Sequence, residues 1–160
     1  MKKAIAAGTL ALVSAAGCLV LAPTASATQV APKAVAAEVH CTGFTNVEIT
    51  PDLKIHVPSA GTGNFNCVVA RGDNNLAVLV VQESLNACYG QGIAEDRDFG
   101  GNTEQAVINA QTRINQSWGR KVLTVDGRFG PITSSYFYFQ LYDYSTGHNG
   151  SHTGWCAPRP

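Results

Sequence analysis

The sequence predicts a mainly α domain of three short helices, with a small β-element on its N-terminal side and two disulfides. Three observations favour this fold class. A motif of the form Asp-x-x-Phe-Gly-x-x-Thr occurs twice, thirty positions apart, at residues 96–103 and 126–133. Apolar residues recur at helical spacing before the first copy and again between the copies. The cysteines that follow an N-terminal export signal are even in number, which is typical of disulfide-linked exported domains.

The N-terminal segment has the composition of a secretory signal peptide. Residues 1–3 read Met-Lys-Lys, residues 4–22 are almost entirely apolar, and Ala25-Ser26-Ala27 places small residues before a cleavage point. We therefore expect residues 1–27 to be a signal peptide and residues 28–37 to be a flexible leader.

Two other interpretations of this segment stay open. The apolar run could be a membrane anchor, but no basic stop-transfer cluster follows it. It could also be a lipoprotein signal that ends at Cys18, but Ala15 stands where a larger aliphatic residue would be expected. The signal peptide is the interpretation that we favour.

The charge of the processed chain excludes several classes of partner. Cleavage removes Lys2 and Lys3, so the 11 basic residues become 9 against 11 acidic ones, a formal net charge of −2. Nucleic-acid binding and polybasic membrane attachment both need a strongly basic surface. We expect no nucleic-acid partner and no membrane association after cleavage.

Four cysteines remain after cleavage, and they allow three pairings. We favour Cys41–Cys67, which closes a compact N-terminal loop, and Cys88–Cys156, which ties the tail to the end of a helix. The second bond would stabilise the fold by roughly 4 kcal/mol on the chain-entropy model. A zinc site is less favoured, because no two cysteines have close ligand spacing.

Residues 38–72 are predicted to form the small β-element. Apolar and polar residues alternate at residues 47–50 and again at 54–57, with Thr50-Pro51-Asp52 as turn chemistry between them. Residues 66–69 are a candidate third strand.

Residues 73–160 are predicted to be the helical domain with its disulfide-linked tail. In the first helix, four residues share one face because their spacing is three, seven and ten positions: Val78, Val81, Leu85 and Cys88. Asp73 or Asn74 is expected to cap the start of this helix, and Gly90 to end it.

The second helix is predicted from Asn102 or Thr103 to Gly119. Its apolar stripe consists of Ala106, Val107, Ala110, Ile114 and Trp118. The third helix is predicted to begin at Pro131. Residues 136–142 form an aromatic run whose propensity favours a strand, but we predict a helix there, by analogy with the helix that follows the first motif copy.

The repeated motif has residues suited to building a corner before a helix. The Asp can fix a turn, the Phe can fill the core, the Gly permits unusual backbone angles, and the Thr can cap the next helix. These structural positions are Asp96, Phe99, Gly100 and Thr103 in the first copy and Asp126, Gly127, Phe129, Gly130 and Thr133 in the second.

Together these residues resemble a known family. The matching segments are Val78–Gln82, Phe99-Gly100 with Thr103, Ala106–Gln111, and Asp126–Pro131 with Thr133. Residues 76–142 are similar to the peptidoglycan-binding-like domain of bacterial cell-wall hydrolases. The chain departs from that family at Arg97, where the family has Gly, and at Ala110, where it has Phe. The resemblance implies a three-helix fold and peptidoglycan as the ligand.

Binding of wall sugars and peptides needs exposed aromatic rings for stacking and polar groups for hydrogen bonds. The candidate ligand-binding residues near the loops between the helices are Tyr89, Gln91, Arg97, Asn102 and Trp118. The alternative is that Trp118 belongs to the core stripe and that the others are merely solvated.

We therefore expect a secreted, non-catalytic cell-wall binding protein without a cofactor or a metal. Glu95, Asp96 and Asp98 cluster, but acidic residues in turns explain them. His148 and His152 have metal-ligand spacing in a glycine-bearing loop, which is a weak signal. The alternative function is a secreted protein-binding module, such as an inhibitor or accessory factor of an extracellular hydrolase, with the β-element as its contact surface.

Overall fold

The computed structural model describes residues 37–146 and 150–160. The predicted signal peptide, nearly all of the predicted leader and His148 lie outside the described residues. The elements, in chain order, are β1 Gly43–Glu48, β2 Leu53–Ser59, α1 Leu76–Tyr89, α2 Gly101–Ser117, α3 Pro131–Tyr136, β3 Tyr138–Asp143 and β4 Ser151–Pro158.

The predicted mainly α fold class is wrong. The four strands form one antiparallel sheet in the order β1-β2-β3-β4. Helix accounts for 31% and β-structure for 27% of the structure. The fold is therefore mixed, with two long helices, a third helix of only six residues, and a sheet built from both ends of the described chain.

The error arises at the aromatic run of residues 136–142. Helix α3 starts at Pro131 as predicted but ends at Tyr136, and the run then continues as β3. Bulky aromatic residues favour strands when neighbouring strands are present to pair with them. Here β3 pairs with β2, where Ile55 faces Leu141, and with β4, where Ala157 faces Phe139.

Several local predictions are refined by the structure. Helix α1 is capped by Asn75, not by Asp73 or Asn74, and the Asn75 side chain accepts hydrogen bonds from two backbone N–H groups of the first turn. Gly90 ends the helix in the left-handed conformation, at φ 66°, as predicted. The candidate strand at residues 66–69 makes only isolated bridges, through Val68 and Val69.

The hydrophobic core lies around α1, which contacts all four strands and α2. The motif phenylalanines, Phe99 and Phe129, are each 1% exposed, which confirms their predicted burial. Phe137 packs edge-on against Phe129 at 4.9 Å between ring centroids and against Phe139 at 5.2 Å. These aromatic contacts join the second corner to the sheet.

Both predicted disulfides are confirmed. Cys41 bonds to Cys67 across 26 positions, and Cys88 at the end of α1 bonds to Cys156 on β4 across 68 positions. On the chain-entropy model they stabilise the fold by about 3.5 and 4 kcal/mol. Such bonds are typical of proteins outside the cytoplasm.

A stack of rings crosses strands β1 to β3. The His56 ring lies between Phe44, at 4.3 Å, and Tyr142, at 3.8 Å between centroids. Its Nε2 is 2.9 Å from the hydroxyl of Tyr144. Burial, and secondarily the charge of His152, lowers the pKa of His56 to about 4.

Acidification is therefore expected to cost stability through His56. Because the pKa of His56 is about 4 in the folded state against 6.5 for an ordinary histidine, its contribution is present above pH 6.5 and lost as the pH falls through 4. The loss is on the order of 2 kcal/mol. Burial raises the pKa of Glu83, which works in the opposite direction and reduces the net effect.

Urea denaturation at pH 7 and pH 4 tests this expectation. The matched variant is His56→Phe, which keeps an aromatic ring between Phe44 and Tyr142 but cannot titrate. The wild-type free energy of unfolding should fall more than that of the variant. Equal falls in the two proteins would contradict the assignment.

Candidate functional site

The first motif copy is held by a buried glutamine of α1. The side-chain amide of Gln82 lies 2.8 Å from Asp96 Oδ1, 3.0 Å from the carbonyl oxygen of Asp98 and 3.1 Å from the Thr103 hydroxyl. Its Oε1 accepts a hydrogen bond from the N–H of Arg97 at 3.0 Å. One side chain therefore fixes the whole loop before α2.

The second copy repeats this arrangement with Gln111 of α2. The Gln111 amide lies 3.0 Å from Asp126 Oδ1, 3.0 Å from the Arg128 carbonyl oxygen and 3.2 Å from the Thr133 hydroxyl. Its Oε1 accepts from the N–H groups of Asp126 and Gly127, each at 3.1 Å. We call these two loops the first and second corner.

The corner aspartates fix turns as predicted. Asp96 Oδ1 accepts from the N–H of Asp98, and Asp126 Oδ1 accepts from the N–H of Arg128, each at 3.0 Å. The predicted cap by the motif threonine is wrong. Gly100 and Gly130 occupy the N-cap positions without a side-chain hydrogen bond, and the two threonines face the buried glutamines instead.

A pair of asparagines extends the repeat. Asn86 exchanges hydrogen bonds with the backbone of Ile93, at 2.8 and 2.9 Å, and Asn115 does the same with Leu123, at 2.9 and 2.8 Å. Sequence analysis did not identify these asparagines, or the glutamines, as partners of the motif. The sequence contains a signal for them, because the two asparagines are 29 positions apart and so are the two glutamines, which is close to the thirty-position spacing of the motif.

The departure at Arg97 has a structural explanation. Arg97 and Gly127 occupy equivalent positions with left-handed backbone angles, φ 68° and 72°. At Gly127 a Cβ would lie 2.8 Å from the Cγ of Glu104, so the second corner needs glycine. Arg97 is exposed, and the first corner tolerates a side chain at the cost of backbone strain.

Loss of the second-corner glutamine should be strongly destabilising. Gln111→Ala would leave the N–H groups of Asp126 and Gly127 without their acceptor in a buried site, which costs about 2–4 kcal/mol. The control is Gln105→Ala on the exposed face of α2, which should change the free energy of unfolding by less than about 0.5 kcal/mol. Similar urea midpoints for the two variants would contradict the role of Gln111.

The two left-handed positions should respond in opposite directions. Arg97→Gly relieves strain and is expected to raise the free energy of unfolding by up to about 1 kcal/mol. Gly127→Ala introduces strain together with the close contact to Glu104, and should lower it by about 2 kcal/mol. Thermal and urea denaturation measure both changes, and a destabilised Arg97→Gly protein would refute the strain at the first corner.

The predicted ligand-binding residues separate into two groups. Tyr89 and Trp118 line one groove of about 270 Å³, whereas Gln91 and Asn102 line another cavity of about 330 Å³. Arg97 lies in neither. The five residues therefore do not form a single site.

Three amide side chains at the Gln91 cavity, those of Gln91, Asn109 and Gln105, are linked to one another by hydrogen bonds. The Gln91 amide donates to the Tyr89 carbonyl oxygen at 2.9 Å, and its oxygen accepts from Asn109 at 2.8 Å. Asn102 is exposed in the first turn of α2. The groove at Trp118, by contrast, has several aromatic side chains in its lining.

This second site, which we call the aromatic groove, lies where the ends of α1, α2 and α3 meet β3 and β4. Its lining consists of Cys88, Tyr89, Arg113, Ile114, Ser117, Trp118, Tyr136, Tyr138 and Cys156. Sequence analysis missed Arg113, Tyr136 and Tyr138. It placed the two tyrosines on a third helix, where a shared surface with Trp118 could not be foreseen.

The rings at the mouth of the groove are open to solvent. Trp118 is 53% and Tyr138 50% exposed, so Trp118 does not belong to the core stripe. The Tyr136 ring meets the Trp118 ring edge-on, at 5.3 Å and 88°. Two half-exposed aromatic side chains in one groove can stack against a flat apolar face of a ligand.

Tyr89 is the floor of the groove. It is 8% exposed, stacks on Phe137 at 4.5 Å, and its hydroxyl accepts a hydrogen bond from the Tyr138 N–H at 2.9 Å. Burial raises the pKa of Tyr89 to about 12. Tyr89 therefore positions the first residue of β3 rather than offering a free face to a ligand.

The charges at the groove are all positive. The guanidinium of Arg113 lies 5.9 Å from the Tyr89 ring centroid, and that of Arg120 lies 5.9 Å from the Trp118 centroid. Among the residues that the structure describes, no carboxylate lines the groove. Neither arginine forms an ion pair within residues 37–146 and 150–160.

The acidic cluster of the first corner is engaged internally. Glu95 accepts a hydrogen bond from Asn86 at 2.9 Å. The hydrogen bond from Gln82, followed by that from the Asp98 N–H, lowers the pKa of Asp96. In the part of the chain that the structure describes, no three His, Cys, Asp or Glu side chains are grouped as metal ligands would be. His152 lies 2.5 Å from the Gln140 amide.

Comparisons with known proteins give no match from which a function could be inferred. No protein-family model, no curated protein and no solved structure matches the chain. Among the helices of the described segments, none combines the length and the apolar character that a membrane crossing requires.

Proposed function

We propose that the protein is a secreted, non-catalytic binder of bacterial peptidoglycan and that the aromatic groove holds the wall polymer. The observation that carries the proposal is the pair of half-exposed rings, Trp118 and Tyr138, at the mouth of a groove of about 270 Å³. Sugar rings present C–H faces that pack on aromatic rings, while their hydroxyls need hydrogen-bond partners at the edge.

The repeated corners also support a wall ligand. Gln82 and Gln111 occupy the glutamine positions of the segments that resemble the peptidoglycan-binding-like family, and each organises its corner in the same way. The resemblance covers residues 76–142, which include α1, α2, both corners, α3 and most of β3. Export, the remaining element of the proposal, is consistent with the two disulfides.

The proposal of a non-catalytic role follows from how the acidic residues are used. Asp96 and Asp126 fix the corners. Glu83 accepts a hydrogen bond from the Tyr142 hydroxyl at 2.5 Å. A glycosidase requires two carboxylates that flank one bond, and the described residues that line the aromatic groove include no carboxylate.

Pull-down with insoluble purified peptidoglycan tests the proposal. Trp118→Ala and Tyr138→Ala should each weaken retention by about five- to tenfold, because each removes a stacking face worth about 1 kcal/mol. The matched control is Trp155→Ala, since Trp155 is 74% exposed but does not line the groove. Wild-type protein that stays in the supernatant would overturn the proposal, and clearing of a wall suspension would overturn the non-catalytic role.

The alternative is a secreted module that binds a protein, such as an inhibitor or accessory factor of an extracellular hydrolase. It is favoured by apolar side chains exposed on the β-element, Val39 at 51% and Phe44 at 36%. Failure of the wall pull-down together with inhibition of a secreted hydrolase would support this alternative.

A further inference from the structure

We propose that the aromatic groove selects a sugar ring that carries a carboxylate, and that Arg113 binds this carboxylate. The inference deepens the proposed function, on which it rests only in using the same groove, and it concerns glycan without attached peptide, because the lactyl carboxylate of a peptide-bearing muramyl residue is converted to an amide. It names which chemical feature of a saccharide the groove recognises.

The arginines at the groove differ in their partners from two other arginines of the described chain. Arg71 pairs with Glu104 at 2.8 Å, and Arg128 pairs with Glu38. Arg113 and Arg120, which lie beside the groove rings, have no such partner in the described part of the chain. A guanidinium can bind a carboxylate through two parallel hydrogen bonds. The groove therefore presents positive charge that its own walls do not neutralise.

The side chains that line the aromatic groove differ in how many hydrogen-bond donors and acceptors they provide. Within the described segments of the chain, no Asp, Glu, Asn or Gln side chain lines the groove. The Ser117 hydroxyl donates its proton to the Ile114 carbonyl oxygen at 2.8 Å, so towards a ligand it can only accept. Arg113 offers only donors. In the described lining, the side-chain acceptors for the hydroxyls of a neutral sugar include the hydroxyl oxygens of Ser117, Tyr136 and Tyr138. A carboxylate only accepts, and it matches the donors of the Arg113 guanidinium.

The backbone and the floor of the aromatic groove are held in place by several contacts. Arg113 lies within α2, and Tyr89 beneath it is fixed by Phe137 and by the N–H of Tyr138. The Cys88–Cys156 disulfide, which lines the same groove, joins α1 to β4. Binding to a preorganised site loses less conformational entropy, so a weak exposed ion pair can still discriminate between ligands.

The smallest matched probes are N-acetylmuramic acid and N-acetylglucosamine. They share the same ring, and only the first carries a lactyl carboxylate. The protein has two tryptophans, so the indole N–H signals of Trp118 and Trp155 can be followed in one NMR titration. The Trp118 signal should shift on addition of N-acetylmuramic acid, with affinity about five- to tenfold higher than for N-acetylglucosamine, while the Trp155 signal stays in place.

Variants of Arg113 separate charge from shape. Arg113→Gln should bring the two sugars to equal affinity, and Arg113→Lys should keep part of the preference, because lysine retains the charge without the planar fork. Arg113 is exposed, so neither change should affect folding. Dispersion of the backbone amide spectrum verifies this.

The outcomes distinguish this inference from the proposed function. Equal affinities in the wild type, no effect of Arg113→Gln, or no shift of Trp118 with either sugar would overturn the inference. If the pull-down still succeeds in that situation, the wall-binding proposal stands. If N-acetylmuramic acid is preferred but the wall is not retained, the inference stands and the proposed function falls.

Discussion

The fold depends on a buried primary amide that is used twice. Gln82 and Gln111 are both fully buried, and a buried amide is costly unless its donors and its acceptor are all matched. Each corner supplies that match from one short loop. Because the amide belongs to the preceding helix, the hydrogen bonds attach the loop to that helix and set where the next helix starts. The same unit, repeated, generates the order helix, corner, helix, corner.

The second corner connects this repeat to the sheet. It carries Phe129, whose ring meets Phe137, and Phe137 in turn leads directly into β3. The hydrogen bond from Tyr138 to the Tyr89 hydroxyl and the Cys88–Cys156 disulfide hold β3 and β4 against the end of α1. The aromatic groove is formed at this junction, where the repeated helices and corners meet the sheet.

The residues that carry the family resemblance and the residues that carry the candidate site are largely different. The resemblance is built on scaffold positions such as Phe99, Gly100 and Gln111. Phe99 and Gln111 are buried, and Gln111 accepts a hydrogen bond from a backbone N–H group. The groove takes Tyr136 and Tyr138 from the chain beyond the second corner. A resemblance in scaffold residues does not by itself transfer a ligand. The candidate site therefore depends on the aromatic groove and its arginines.

The sequence by itself determined the features that depend on neighbouring residues, and also the disulfides, which had only three possible pairings. Apolar spacing located α1 and α2, turn chemistry located the corners, and the small number of cysteine pairings led to the correct disulfides. Only the tertiary structure decided that residues 138–143 are a strand, that the tail returns as β4, and that Trp118 faces solvent beside Tyr136. A strand owes its stability to hydrogen-bonding partners, and for β3 one of these is β2, more than eighty positions earlier in the chain. Patterns within a short window do not contain that partner.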